Sequence, residues 1–117
     1  MSEYTPDTWV VLKIGIGGHA TYKVLAGWGG SYTYGASWKL NSGITEIREE
    51  GNYFLFNGYS GSVYHCNKKC YGLSAYTAGI LEHFREQLKD QPGAYIDLLP
   101  EETNFMEIDY VGSQAAV

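Results

Sequence analysis

A two-residue turn signal, Gly51-Asn52, separates two runs rich in β-branched and aromatic residues, ITEIRE and YFLFN. Such turns require backbone angles that glycine and asparagine adopt readily, and they join antiparallel strands. A second hairpin is predicted at Gly17-Gly18, between the alternating runs WVVLKIGI and ATYKVLAGW, and residues 58–61 form another loop of hairpin length. The first of these alternating runs predicts a strand buried on one side. The chain is therefore constrained to build an antiparallel, largely meander β-sheet of four to six strands.

One helix is predicted to pack on one face of this sheet. Ser74 is a suitable N-cap, Pro92-Gly93 ends the segment, and apolar side chains recur between them at helical spacing: Ile80, Leu81, Phe84 and Leu88. The predicted helix covers about residues 74–89, which gives an α+β fold class. At 117 residues the chain has room for a single domain, residues 1–117. In its acidic segment, residues 90–117, AYIDLL and NFMEIDY are predicted to form edge strands or an intersubunit arm.

The net charge of −5 is unevenly distributed. Residues 8–81 carry six basic and three acidic side chains, whereas residues 82–117 carry two basic and eight acidic ones. Duplex nucleic acid is excluded as a partner, because its recognition neutralises several phosphates at once and requires a strongly basic surface. A small anion with an aromatic ring is the better match as a ligand, because residues 8–81 are mildly basic and rich in tyrosine.

No apolar run approaches the roughly 18–20 residues that a membrane span requires, and the opening MSEYTPDTW lacks the layout of a signal peptide. These features predict a cytoplasmic protein without a membrane partner. The two cysteines, Cys66 and Cys70, are expected to be free thiols in a reducing compartment.

Catalytic and metal-binding signatures are sparse. The segment HCNKKC, residues 65–70, has two cysteines three residues apart and no second pair, whereas zinc requires three or four converging ligands. Lys68 and Lys69 either lower the pKa of the neighbouring thiols or are simply exposed residues of a solvated turn. No G-x-S-x-G or Walker sequence occurs, and the glycines of residues 15–18 precede a predicted strand instead of a helix. We therefore predict no catalytic residue, metal or cofactor, and a binding function.

Residues 27–37, GWGGSYTYGAS, lack apolar periodicity and predict a loop that presents aromatic rings. Aromatic rings stack on bases, glycines let backbone N–H groups approach phosphate, and lysine supplies charge. This chemistry predicts a nucleotide-like ligand, although the same composition is typical of protein-contact surfaces. The two tryptophans are also consistent with core positions. The candidate ligand-binding residues are Trp28, Tyr32, Tyr34, Trp38, Lys39, Asn41, Lys23, Tyr59, Ser60, His65 and Lys69.

Three stretches, TPDTWVVLKI, YKVLAGWGGSYTYGASWKLNSGI and NGYSGSVYHCNKKCYGLS, resemble a group of small uncharacterised proteins encoded by tailed bacteriophages. The resemblance covers most of residues 5–76 and carries no functional residue over to this chain. It implies a phage accessory protein, and such proteins without catalytic motifs often inhibit a host protein or sequester an immune signal. This implication is an analogy.

Three hypotheses follow. The first is a non-enzymatic phage protein that counters host antiviral defence by sequestering a small anionic, nucleotide-derived signalling molecule. The second is an inhibitor that binds a host defence protein directly, and the third is a small hydrolase of such a signal, using His65, Cys66 and Cys70. A homo-oligomer is expected, because a small aromatic sheet has two faces and only one predicted helix to cover them.

Overall fold

The computed structural model describes residues 2–31 and 35–110. Within these ranges the chain forms eight strands, one α-helix and two short 3-10 helices. The strands are β1 (Glu3–Tyr4), β2 (Thr8–Ile16), β3 (His19–Ser31), β4 (Gly35–Leu40), β5 (Ile44–Glu50), β6 (Tyr53–Gly58), β7 (Val63–Asn67) and β8 (Tyr95–Leu98). Helix α1 spans Ala75–Leu88, and the 3-10 helices span Lys68–Cys70 and Phe105–Glu107. Across the described residues, no helix is both long and apolar enough to cross a membrane.

The strands are divided between two four-stranded sheets. The first sheet has the order β1-β7-β6-β5, and the second sheet has the order β4-β3-β2-β8. All pairings are antiparallel except that of β1 with β7. The predicted α+β class and the helix on one sheet face are confirmed. The structure has eight strands in two sheets, whereas the sequence predicted four to six strands in one sheet. The additional sheet covers the face of the second sheet that is turned away from the helix.

Strand β2 is buried on both faces, so the prediction of one buried side is wrong. Trp9 and Val11 belong to the core between the two sheets, whereas Val10 and Leu12 belong to a second core beneath α1. None of the four is more than 1% exposed. Strands covered on both faces are apolar at consecutive positions instead of alternating ones, as WVVL is here. The molecule therefore has three layers: first sheet, second sheet and helix.

The indole of Trp9 lies at the centre of the core between the sheets. Its Nε1 donates a hydrogen bond to the backbone oxygen of Asn67, at 2.7 Å, which connects β2 in one sheet to β7 in the other. Four rings surround it at centroid distances from 4.7 to 6.2 Å: Phe54, Phe56, Tyr71 and Phe105. Trp9 therefore holds together the two sheets and the segment that follows β8.

The predicted turns are confirmed, whereas the predicted loop over residues 27–37 is wrong for residues 27–31 and 35–37, which belong to strands. Gly17, Gly18 and Gly51 have positive φ in the β2–β3 and β5–β6 turns. Strand β3 continues through Ser31 and pairs with β4, with a register shift between Trp28 and Ser31. Glycines in this stretch weakened the strand pattern, but pairing with β4 stabilises the extended backbone. Residues 32–34 lie outside the described residues.

The C-terminal predictions divide into one confirmed strand and one correction. AYIDLL contains β8, which is an edge strand of the second sheet. NFMEIDY is not a strand: Phe105–Glu107 form a 3-10 helix that places the Phe105 ring in the core between the sheets. The Asn104 side chain accepts a hydrogen bond from the backbone N–H of Met106, which favours this turn over an extended backbone. Residues 111–117 lie outside the described part of the chain.

Helix α1 begins and ends close to the predicted positions 74 and 89. Ser74 is the N-cap and forms a capping box with Thr77, which is itself buried. Thr77 faces Gly27 of β3, where a Cβ atom would lie 2.6 Å from the Thr77 methyl carbon and 3.2 Å from the Thr8 hydroxyl oxygen. The helix therefore packs so closely on β3 that only glycine fits there.

Gly27→Ala tests this close approach. Because the new methyl group must displace α1, we expect the free energy of unfolding to fall by about 1–3 kcal/mol, measured by urea denaturation. Gly79→Ala is the control: it lies on the exposed side of α1 with no atom within 4 Å of the new Cβ, and should stabilise by about 0.5–1 kcal/mol. Adding Thr77→Ser to Gly27→Ala removes the clashing methyl, keeps the capping hydroxyl and should restore stability. Wild-type stability of Gly27→Ala would contradict the packing described here.

Buried tyrosines predict a loss of stability at alkaline pH. Burial raises the pKa of Tyr64 and of Tyr71 from 10.0 to about 12, and it raises the pKa of Tyr110 as well. Between these values the folded state binds more protons than the unfolded state, so the free energy of unfolding should fall as the pH rises from about 10 to about 12. Urea denaturation across this range measures the fall.

Tyr59→Phe is the matched control for alkaline unfolding, because Tyr59 is 56% exposed, and it should leave the pH dependence unchanged. Tyr71→Phe should make the pH dependence shallower. A stability that does not change across this pH range would show that the buried phenols ionise as easily in the folded protein as in the unfolded chain.

Candidate functional site

An open cleft of about 580 Å³ lies between β1 and β4, which are edge strands of the two sheets. We call it the aromatic cleft, and its principal residues are Tyr4, Trp28 and Lys39. The remaining lining residues are Glu3, Thr5, Ser37 and Trp38. The first sheet contributes β1 and the second sheet contributes β3 and β4, so the cleft is formed where the two sheets meet.

The short segment between β1 and β2 fixes the shape of the aromatic cleft. Trp28 Nε1 donates a hydrogen bond to the backbone oxygen of Thr5, at 3.1 Å. Asp7 is bonded twice to β3: its backbone N–H donates to the oxygen of Gly27 at 2.9 Å, and its Oδ2 accepts from the N–H of Gly29 at 2.6 Å. These bonds hold the crossing segment against β3 and place the ring of Tyr4 next to that of Trp28.

The cleft combines aromatic surface with a positive charge. The rings of Tyr4 and Trp28 meet edge to face, with centroids 6.2 Å apart and an interplanar angle of 70°. Lys39 Nζ lies 5.0 Å from the centroid of the Tyr4 ring, within the range of a cation–π interaction. Within residues 2–31 and 35–110, no carboxylate forms an ion pair with Lys39. The Lys39 ammonium is therefore available to an anionic ligand.

Three of the predicted site residues line this cleft: Trp28, Trp38 and Lys39. Tyr32 and Tyr34, predicted to be exposed, lie outside the described residues. Sequence reasoning missed Tyr4, because a two-residue strand has no periodicity to detect. The only available signal was that Tyr4 lies a few residues before the apolar strand β2. An aromatic residue at such a position is too common to indicate a site.

The two tryptophans occupy intermediate positions between core and surface. Trp28 is half-buried, and Trp38 is 36% exposed, with its ring 5.4 Å from that of Phe84 on α1. Trp38 is paired with Gly27, one residue before Trp28, so the two tryptophan side chains project from opposite faces of the second sheet. Trp28 therefore faces the cleft, while the ring of Trp38 packs on the helix behind it.

The structure does not bring the other predicted site residues to this cleft. Lys23 lies on the helix side of the second sheet, in a different cavity. His65 Nε2 lies 2.7 Å from Glu3 Oε1 on the outer face of the first sheet. Lys69 belongs to the first 3-10 helix, where its backbone N–H donates to the side chain of Asn67.

The remaining three predicted residues lie around the β4–β5 connection. Asn41 is only 3% exposed, and its Oδ1 accepts a hydrogen bond from Val24 N at 2.8 Å, so it has a structural role. Tyr59 is exposed, and the backbone N–H of Ser60 donates to the Ser42 hydroxyl at 2.9 Å. These contacts hold the β6–β7 turn against the β4–β5 connection and do not line the aromatic cleft.

His65 and Cys66 face opposite sides of the first sheet. His65 is on the outer face with Glu3, whereas Cys66 is fully buried in the core between the sheets. Burial raises the pKa of the Cys66 thiol, so the hypothesis that neighbouring lysines lower it is wrong for this residue. In the described part of the chain, no three metal-binding side chains cluster. His65, Cys66 and Cys70 therefore do not form one site.

Comparison of the chain with protein-family models, with curated proteins and with solved structures found no match. No functional residue is therefore assigned from a relative. The resemblance to small tailed-phage proteins stays a prediction from the sequence, and the geometry of the aromatic cleft is the basis for a functional assignment.

Cys66 and Cys70 should differ sharply in reactivity. The fully buried Cys66 thiol has a raised pKa, whereas Cys70 is half-buried, and thiolates are the reactive species. We expect a maleimide dye to label one thiol quickly in the folded protein and both in denaturant. Cys70→Ser should abolish the fast reaction and Cys66→Ala should leave its rate unchanged. Equal labelling rates for the two thiols would contradict this assignment.

Proposed function

We propose that this protein binds a nucleotide-like anion in the aromatic cleft and releases it unchanged. The observation that carries the proposal is the Lys39 ammonium, 5.0 Å from the Tyr4 ring and without a carboxylate partner among the described residues, in a cleft that Trp28 also lines. A base stacks on aromatic rings at a small cost in conformational entropy, and a lysine pairs with phosphate. The cleft therefore places an aromatic surface for the base next to a positive charge for the phosphate.

The size of the cleft supports a ligand of this class. Small-molecule sites have volumes of about 300–1,000 Å³, and the aromatic cleft, at about 580 Å³, lies in the middle of that range. It is too small for a nucleic-acid duplex and large enough for a base, a sugar and a phosphate. Lys39, the one basic residue among those that line the cleft, supplies a single positive charge, which suits one phosphate group.

The chemical groups around the cleft favour binding over catalysis. Among the residues that line it, the one carboxylate belongs to Glu3, and its Oε1 is bonded to His65. Activation of water requires a positioned base and usually a metal, and the described residues of the cleft offer no nucleophile beside a base. A ligand bound there is therefore held without being hydrolysed.

The resemblance to small phage proteins supports a biological setting for this binding. In that setting the protein acts in the host cytoplasm and counters antiviral defence by sequestering a nucleotide-derived signalling molecule. A sequestering protein needs no turnover, only affinity and abundance. The lack of a catalytic arrangement in the described cleft is compatible with this role.

One observation favours direct binding to a host defence protein as the alternative function. Strand β4 is an edge of the second sheet, and five of its six residues, 35–39, are exposed. An unpaired edge presents backbone donors and acceptors to which another chain can add a strand. The same edge also supports the formation of a homo-oligomer by this chain.

Calorimetric titration with a panel of nucleotides, cyclic nucleotides and cyclic ADP-ribose isomers tests the proposal. We expect one of them to bind and to be recovered intact. Lys39→Met should weaken its binding at least tenfold, because the variant removes the charge and keeps the length of the side chain. Lys23→Met is the matched control. It removes a lysine from the opposite face of the second sheet and should leave the affinity for the nucleotide unchanged.

The same variants separate the proposed function from its alternatives. An altered ligand after incubation would identify an enzyme, and absence of binding across the panel would remove the nucleotide hypothesis. Direct inhibition requires capture of a host protein that Lys39→Met does not affect and that Ala36→Pro, in the exposed edge of β4, abolishes. Size measurement by light scattering, with and without the Ala36→Pro change, tests whether β4 also joins copies of this chain.

A further inference from the structure

Helix α1 is too short to cover the second sheet. Its 14 residues span about 21 Å, whereas the 13 residues of β3 extend for about 43 Å. Leu81 of the helix packs on Val10, Leu12 and Leu25 at the centre of the sheet. Beyond the end of the helix, the tip of the β2–β3 hairpin is uncovered, and Ile16 there is 46% exposed.

A groove of about 300 Å³ lies between the C-terminal half of α1 and this hairpin. We call it the amphipathic groove. Paired Ile14 and Ile96 form its floor, and Phe84 and Leu88 form the wall on the helix side. Its volume is at the lower end of the range for small-molecule sites, which suits a single short apolar chain.

Lys23 gives the groove its charge. In β3 it alternates with Val24, so its side chain projects to the helix side of the sheet, as that of Leu25 does. It is half-buried and lines the groove, and within residues 2–31 and 35–110 it forms no ion pair or side-chain hydrogen bond. None of the described residues that line the groove is an aspartate or a glutamate. An ammonium next to apolar surface and without a counter-charge favours an anionic partner.

We propose that the amphipathic groove binds a medium-chain fatty acid. The acyl chain lies on Ile14 and against Phe84 and Leu88, and the carboxylate pairs with Lys23. The Thr21 hydroxyl, which also lines the groove, is placed on the same strand face to donate a hydrogen bond to the second carboxylate oxygen. Each methylene group of the chain that is buried on this apolar surface adds to the affinity, and the contacts of the carboxylate with Lys23 and Thr21 fix the direction in which the chain binds.

This site is distinct from the aromatic cleft. Lys39 is paired with Ala26, which faces the core between the sheets, whereas Lys23 faces the helix. The two lysines therefore act on opposite faces of the second sheet. The fatty-acid proposal does not rest on the proposed nucleotide function, and either can fail alone.

Binding of octanoate, octan-1-ol and octylammonium to the whole protein tests the proposal. Binding is measured by calorimetry, below the micelle concentrations of the two ions and below the solubility limit of the alcohol. We expect octanoate to bind at least tenfold more tightly than octylammonium. Lys23→Met should reduce the affinity for octanoate at least tenfold, to that of octan-1-ol, and Lys23→Arg should keep most of the wild-type affinity. Lys39→Met is the control and should bind octanoate as the wild type does.

Backbone amide NMR shifts locate the octanoate site. We expect changes at Ile14, Thr21 and Leu88 and none at Tyr4 or Trp28. Three results would overturn the proposal: no octanoate binding, equal affinity for octanoate and octylammonium, or shifts confined to the aromatic cleft. A normal affinity in Lys23→Met would show that this lysine does not hold the carboxylate.

Discussion

The packing of Trp9 between the two sheets is the interaction on which the rest of this structure depends. Its indole fills the centre of the inter-sheet core, and its N–H satisfies a backbone oxygen at the end of β7. Because β2 pairs with β3 and β8 in the second sheet while β1 pairs with β7 in the first, the chain must cross between the sheets within residues 5–7. That short crossing leaves Tyr4 beside Trp28. The aromatic cleft is therefore a consequence of how the core closes.

The local features of the fold could be predicted from the sequence, and the division into two sheets could not. A turn such as Gly51-Asn52 and a capping serine such as Ser74 act on residues a few positions away, so their signals are complete within a short window. Alternation of apolar and polar residues shows that a strand has two different faces, but it does not show which layer covers each face. The four consecutive apolar residues of WVVL did indicate that both faces of β2 are covered, because such a run is typical of a strand between two layers. Phe105 was misassigned for a related reason: its burial depends on a core assembled from distant strands.

The candidate site shows the limit of reasoning along the chain. Trp28 and Lys39 are close in sequence, and their side chains face the aromatic cleft. Lys23 and Trp38 are nearly as close in sequence, and their side chains project from the other face of the second sheet. Side chains of neighbouring residues in a strand project to opposite faces of the sheet, so the face on which a residue lies depends on whether its position is odd or even. A shift of one residue in the pairing register would move every side chain of the strand to the other face. Parity across the β3–β4 pair depends on its register, which sequence alone did not supply.

The second sheet consequently presents two surfaces with different chemistry. On one face, a lysine and two aromatic rings meet between the edge strands β1 and β4, where a flat and charged molecule has access to both the charge and the rings. On the other face, a lysine lies at the edge of aliphatic side chains, where a flexible apolar chain gains more from burial than a flat ring does. The two surfaces have different structural origins. The amphipathic groove exists because α1 does not extend to the hairpin end of the long strand β3, whereas the aromatic cleft forms where β1 of the first sheet meets β3 and β4 of the second sheet.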